Sequence, residues 1–234
     1  VLALEGFLPG YGLEAGAVLG MAEAPRAGRG TREFDLPRPP SVAVREYVPG
    51  NLIYANGHKY VPRRFILPAD DAVADKRRIE VNVGRRAVQD VTTSASGVGA
   101  GPTVVSVPSC DVNLVHASSI SDEEENRFML PVVVLGRELG DHNGGQAYRW
   151  GDRSLLLRHG TALQLVNIGV SSLVREKQEL GYPICLVCGQ SVSPFSSAAQ
   201  RAQFVKSHTE WCGKEPHPVA LHADLVADTL TIKD

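Results

Sequence analysis

Apolar and polar positions alternate with a period of two over most of this chain, and a period near 3.6 governs only one long stretch. Pro131 to Leu139, Gln146 to Trp150, Ser154 to His159 and Thr161 to Val170 are short apolar or alternating runs divided by Gly, Asp and Asn. That punctuation predicts an antiparallel β meander. Upstream, Val42 to Val48 alternates as a strand and Pro49-Gly50-Asn51 supplies a turn. Leu52 to Ala55 then faces His58 to Val61 across Asn56-Gly57, the dipeptide that best tolerates the two positive φ values of a type I′ hairpin. Phe65 to Leu67 and Ile79 to Val83 are expected to continue this module, Thr103 to Val107 forms a further strand, and Val219 to His222 and Thr229 to Lys233 close the chain.

The helical stretch runs from Ser197 to Trp211, where Ala198, Ala202, Phe204 and Val205 recur at helical intervals. Ser197 and Gln200 make a capping box, and Gly213 can close the end. Ser121-Asp122-Glu123-Glu124 is a second capping box, opening an acidic helix that runs to about Phe128, with its carboxylates near the positive helix end. Ala22 to Pro40, dense in Pro, Gly and Arg, reads as an extended connector, and residues 92–101 as a loop. The expected fold is α+β and β-rich. It comprises an N-terminal apolar segment and connector (1–40), a small antiparallel barrel or sheet module (41–109), and a β-sheet domain (110–234) with one short helix.

Candidate chemistry is concentrated in that last domain. Cys185 and Cys188 form a Cys-x2-Cys pair, and His208 and Cys212 follow after nineteen residues. Four thiolate and imidazole ligands describe a closed, structural zinc site, whereas a catalytic zinc keeps a position open for water. Gly189 would relieve the tight turn of the knuckle. His208 and Cys212, four apart on the predicted helix, would share one face of its last turn. Two alternatives stand beside this reading. Cys-x2-Cys also describes a redox dithiol, although that motif should open a helix after a strand, and Tyr182 to Gly189 is turn-like. Cys110 could replace His208 as the fourth ligand, against its plainer role as a small buried hydrophobe. His217 and His222 flank the site and could bond to its ligands from outside. Because structural zinc binding is folding free energy, replacing Cys185 with Ser should release the metal and unfold at least the last fifty residues.

Composition narrows the rest. With 43% hydrophobic and 21% charged residues, the chain can bury a core of one or two domains and is not disordered overall. A net charge of -2 means that any contact with nucleic acid must come from a local patch. Residues 45–90 offer one, with nine Lys and Arg against six Asp and Glu. Lys59, Arg63, Arg64, Lys76, Arg77 and Arg78 are the DNA-binding candidates, with a solvated surface as the plain alternative. Tyr47, Tyr54 and Tyr60 could stack on unpaired bases or pack across strands. No apolar run is long enough for a bilayer, no signal peptide opens the chain, and three clustered cysteines suit a reducing compartment, so a cytoplasmic location is expected. Beginning at Val1 and not Met, the chain is expected to belong to a longer polypeptide. It carries no phosphate-binding Gly-x4-Gly-Lys loop, no Gly-x-Ser-x-Gly elbow and no His-Glu-x2-His helix, so no catalytic site is expected in it.

Several segments in chain order also match a known pattern. These are Phe7-Leu8-Pro9-Gly10-Tyr11, then Arg45-Glu46-Tyr47-Val48-Pro49-Gly50-Asn51 leading to Ile53-Tyr54-Ala55-Asn56-Gly57-His58-Lys59-Tyr60, and the acidic Asp122 to Arg127. Leu165-Val166-Asn167-Ile168-Gly169 precedes the cysteine knuckle, and Ala227-Asp228-Thr229-Leu230 stands near the end. Together they resemble the C-terminal zinc-binding domain that follows the motor in a group of superfamily 2 DNA helicases. That group includes the mitomycin-repair helicases and helicases of phage-defence systems such as DISARM. Those relatives commonly use four cysteines, and His208 at the third position points to the DISARM side. The resemblance implies a parent ATP-dependent DNA helicase or translocase in antiviral defence or DNA repair. This chain would be its non-catalytic accessory part, guiding DNA and bracing the motor domains. The alternative is a zinc-stabilised platform that docks a partner subunit.

Overall fold

The structure, a computed structural model, describes residues 16–25, 30–67, 79–82, 87–90, 101–120, 128–140, 144–175 and 180–233. The described elements run β1 (Val18–Pro25), β2 (Thr31–Arg38), α1 (Pro40–Glu46), β3 (Ile53–Ala55), β4 (His58–Phe65), β5 (Ile79–Asn82), β6 (Ala87–Asp90), β7 (Thr103–Ser106) and β8 (Cys110–Ser119). They continue β9 (Val132–Glu138), β10 (Gln146–Trp150), β11 (Arg153–Val170), α2 (Ser171–Arg175), β12 (Tyr182–Ile184), α3 (Ala198–Cys212) and β13 (His217–Lys233). This is the β-rich α+β class that the alternating pattern predicts. The opening segment through Tyr11, the acidic box Asp122 to Arg127, and Lys76, Arg77 and Arg78 lie outside the described residues.

A first sheet has the order β2-β1-β8-β4-β3, and a second the order β10-β11-β13-β12, with β7 beside β13 and β9 beside β11. Strands are exchanged around residue 109. β8 lies between β1 and β4, while β7 runs parallel to β13 in the second sheet. β5 and β6 make a separate two-stranded ribbon, so Ile79–Asn82 does not continue the β3–β4 hairpin. That hairpin forms as expected, with Asn56 at φ 47 and Gly57 at φ 75.

Two segments differ from the sequence reading. The supposed connector is the β1–β2 hairpin, paired from Val18↔Arg38 to Pro25↔Thr31. β2 is an edge strand, which is why it tolerates Pro37 and a polar, exposed pattern. Val42 to Val48 is not a strand, because Pro40 opens helix α1 at its first turn. Ala43, Val44, Tyr47 and Val48 are fully buried, a spacing of one and four that only a helix places on one side. Farther on, the four short runs at 154–159, 161–170, 219–222 and 229–233 merge into two long strands, β11 and β13, joined along their length with one irregularity between Arg158 and Thr161.

The main core lies where α1 and the inner face of the first sheet meet the second. Val18, Ala22, Tyr60, Phe65 and Val112 pack with Val44, Tyr47, Tyr182, Ile184, Val219 and Leu221. Each fully buried large apolar side chain of this kind contributes about 1.5–3 kcal/mol. A second cluster, containing Ile79, Val88, Val104, Leu135, Val166, Ile168 and Ala220, covers the other face of the second sheet. Cover on both faces explains why Val166 to Val170 is buried continuously instead of alternating. Asn167 ties the layers together: its Nδ2 donates to the Val44 carbonyl at 2.7 Å, and its Oδ1 accepts from Gly169 N–H at 3.0 Å and Tyr182 O–H at 2.9 Å.

Candidate metal centre

β12 pairs with β13 and delivers the fully buried Cys185 directly after Ile184. The chain then turns back on itself: Gly189 N–H donates to the Cys185 carbonyl and Cys185 N–H to the Gln190 carbonyl, both at 2.9 Å. Gly189 adopts φ 75, and a Cβ there would stand 1.7 Å from the Phe65 carbonyl oxygen, so close backbone approach as well as the turn demands glycine. The knuckle is thereby fastened to β4 of the other sheet. Phe65 N–H donates to the Gly189 carbonyl at 2.8 Å, and Ser191 gives both its N–H, at 3.0 Å, and its hydroxyl, at 2.8 Å, to the Arg63 carbonyl. Arg64 Nε adds a bond to the Cys188 carbonyl at 3.3 Å.

The other two candidate ligands come from α3. Its capping box closes as the sequence predicts, with Gln200 N–H on Ser197 Oγ at 3.2 Å and Ser197 N–H on Gln200 Oε1 at 2.9 Å. Gly213, at φ 72, ends it with a bond to the Thr209 carbonyl. His208 and Cys212 stand four apart and face the knuckle. The helix differs from expectation in what holds it: His208 is its only buried residue, Ala198 and Ala202 are exposed, and Phe204 and Val205 are half-buried. Phe204 stacks on the His208 ring at 5.5 Å between centroids, and Trp211 meets it edge-on at 6.4 Å.

Cys185, Cys188, His208 and Cys212 place one ligand atom each within 4.8 Å of one another, an arrangement that can hold a metal ion. Cys185 Sγ lies 3.9 Å from Cys212 Sγ, and Cys188 Sγ lies 3.1 Å from His208 Nε2. All four cysteines of the chain are free thiols. Nε2 is the His208 nitrogen that meets the cluster, and the buried Nδ1 has no hydrogen-bond partner among the described residues. Burial works against a thiolate at Cys185, yet the backbone N–H groups of Cys188 and Val187 and the neighbouring thiols together hold it below the ordinary thiol value. Burial and the adjacent thiols push Cys188 up to about 11. A divalent cation held among them would supply the opposing charge and favour both as thiolates.

Cys110 does not compete for the fourth position. It is fully buried in the main core, and burial pushes its thiol up to about 12. The His222 ring bonds to Gln164 and Asp224, and His217 pairs across the sheet with Ile184.

The described basic candidates all lie on β4. Arg63 and Arg64 are exposed on β4 and Lys59 is half-buried on the same strand. Arg64, besides bracing the knuckle, lies 3.8 Å from Asp111. Next to it, Glu23, Glu33, Asp35 and Asp111 line a groove of about 690 Å³ across β1, β2 and β8. Tyr47 and Tyr60 are fully buried and cannot stack on a base, and the Tyr54 hydroxyl accepts from Phe128 N–H at 3.0 Å. The bracing role of Arg63, Phe65 and Ser191 was not visible in the sequence. It runs mainly through backbone groups, and the short reach of Gly189 was its one signal. No protein-family model, curated protein or solved structure matches this chain.

Proposed function

We propose that Cys185, Cys188, His208 and Cys212 bind one structural zinc ion, and that the zinc makes this chain a rigid, non-catalytic docking platform. The single observation that carries this reading is the closed set of three thiols and one imidazole, drawn from a knuckle fastened to β4 and a helix that little else holds. A tetrahedron with metal–sulfur arms of about 2.3 Å has edges of about 3.8 Å, close to the 3.9 Å between Cys185 and Cys212. Thiolate and imidazole ligands in a tetrahedron select zinc over magnesium or calcium. Four ligands leave no open position for substrate or water.

A second reading makes the platform the accessory domain of an ATP-dependent DNA helicase, serving phage defence or DNA repair. Arg63 and Arg64, exposed beside the knuckle, favour it, and Lys59 extends the strip along β4. The carboxylates across β1, β2 and β8 weigh against a continuous track for a polyanion. DNA binding at two salt concentrations separates the readings. A steep loss of affinity with salt, reduced by Arg63→Ala with Lys59→Ala, supports DNA guidance, because displaced counterions scale with phosphate contacts. Zinc-loaded protein that ignores DNA at low salt leaves the docking platform alone.

A further inference from the structure

The second sheet extends past its covered centre as a three-stranded arm. β10, the first residues of β11 and the last residues of β13 pair there in the register Tyr148↔Leu155↔Ile232, with Gln146↔Leu157↔Leu230 beside it. Directly opposed residues of antiparallel strands point to the same face, and so do residues two apart. Tyr148, Trp150, Leu155, Leu157, Leu230 and Ile232 therefore share one face, with Gln146 at its margin accepting from the Tyr148 hydroxyl. Ala147, Arg149, Ser154, Leu156, Arg158, Thr229 and Thr231 take the other, which is largely polar. The apolar face is open to solvent: Trp150 is 68% exposed, Leu230 57%, Ile232 54% and Tyr148 51%.

This is the reverse of what a half-solvated sheet adopts when it stands alone. With about 150–250 Å² for each large aromatic side chain, the four residues leave on the order of 400 Å² of contiguous apolar surface in water. Charge is arranged lengthwise along the same stripe. Arg153 stands at the tip, opposite Trp150. Asp228 continues the alternation of Ile232 and Leu230 at the base, its carboxylate 3.0 Å from His159 and 3.0 Å from Gly160 N–H.

We infer that a second copy of this chain docks on the arm, face to face about a twofold axis. A stripe with a cation at one end, an anion at the other and apolar residues between is complementary to itself when turned end for end. Each Arg153 then meets the partner copy's Asp228, and each Trp150 lies over the partner copy's aliphatic residues. Isologous contact of this kind closes at two subunits. The two stripes bury on the order of 800 Å² between them, and the half-buried Leu155 and Leu157 with the polar rim bring the total toward the roughly 1,200 Å² of a specific interface.

Sedimentation of the full chain from nanomolar to high micromolar concentration tests this. A reversible monomer–dimer equilibrium is expected, and Trp150→Glu or Ile232→Glu should raise the dissociation constant at least about tenfold, with metal content unchanged and melting temperature unchanged at concentrations where the parent is monomeric. Arg153→Glu should weaken the dimer, and adding Asp228→Arg to it should restore the association by reversing both ends of the stripe. A chain that stays monomeric throughout overturns the inference. So does a dimer indifferent to Trp150→Glu and Ile232→Glu, or a charge-reversed double variant that associates no better than Arg153→Glu.

Discussion

Helix α3 and strand β13 are separated by four residues and are secured by opposite means. In β13, Val219, Ala220 and Leu221 are fully buried, with one apolar cluster against each face of the sheet. In α3 the single buried side chain is His208, a metal-ligand candidate, and Trp211 beside it is 71% exposed. On the proposed reading, hydrophobic burial holds the strand whether or not metal is present, whereas the helix is held by the ligands it would contribute. This division is narrower than the expectation that ligand loss would unfold at least the last fifty residues. β13 belongs to the apolar core, and the segment proposed to depend on the metal is the knuckle and α3.

Removing the metal should break this comparison most strongly. Structural zinc in small modules contributes about 10–16 kcal/mol of apparent binding free energy at neutral pH. Chelation, or Cys185→Ser, should therefore abolish amide-exchange protection across Ala198–Cys212 while β11 and β13 remain protected. Slow exchange in α3 without metal, or loss of protection in both regions together, would contradict the division.

The core should respond in the opposite sense to Asn167→Leu. That change strands the Val44 carbonyl, Gly169 N–H and Tyr182 O–H, three groups buried with Asn167 as partner. A loss of about 3 kcal/mol or more is expected in urea unfolding, because unmade buried bonds cost about 1–3 kcal/mol each. α3 and the sheets should then melt together.

Cysteine chemistry sharpens the contrast further. After chelation, Cys185, Cys188 and Cys212 should alkylate in the folded chain and Cys110 should not. Burial raises the folded-state value of Cys110 to about 12, above the value of about 8.5 in an unfolded chain. The buried neutral thiol therefore contributes its full stability below the unfolded value and loses it as pH rises toward the folded one. Relative to Cys110→Ala, stability should fall by about 1.4 kcal/mol per pH unit in that window. A flat difference between the two proteins from pH 8 to pH 10 or so would remove Cys110 from the apolar core.

The smallest effect should be confined to the helix. Ser197→Ala removes the cap from Gln200 N–H and should cost about 1 kcal/mol. Since folding of α3 and metal binding are linked, that loss should weaken metal affinity about fivefold and leave the unfolding of the sheets unchanged.

What could be read from the sequence follows the same division. The ligand set is local: a Cys-x2-Cys turn with Gly189, and His208 and Cys212 one helical turn apart between a capping box and Gly213. Spacing alone carries those relations. The fastening of the knuckle to β4 uses the backbones of Arg63 and Phe65, which have no side-chain signature. Val42, Val44 and Val48 satisfy a two-residue alternation, and the competing helical spacing of Ala43, Val44, Tyr47 and Val48 shows only once Tyr47 is counted as buried. β2 was hidden because an edge strand can carry Pro37 and several charges. A run of arginines says nothing about its neighbours in space, so the carboxylates facing Arg64 across β8 could not be foreseen.

The account rests most directly on which side chains hold the metal. Elemental analysis of the purified chain beside Cys110→Ala, Cys188→Ser and His208→Ala tests that in one experiment. One zinc per chain in the parent and in Cys110→Ala, with loss from Cys188→Ser and His208→Ala, is the predicted result. Full zinc in His208→Ala together with loss from Cys110→Ala would contradict it, and a parent chain without zinc would do so outright.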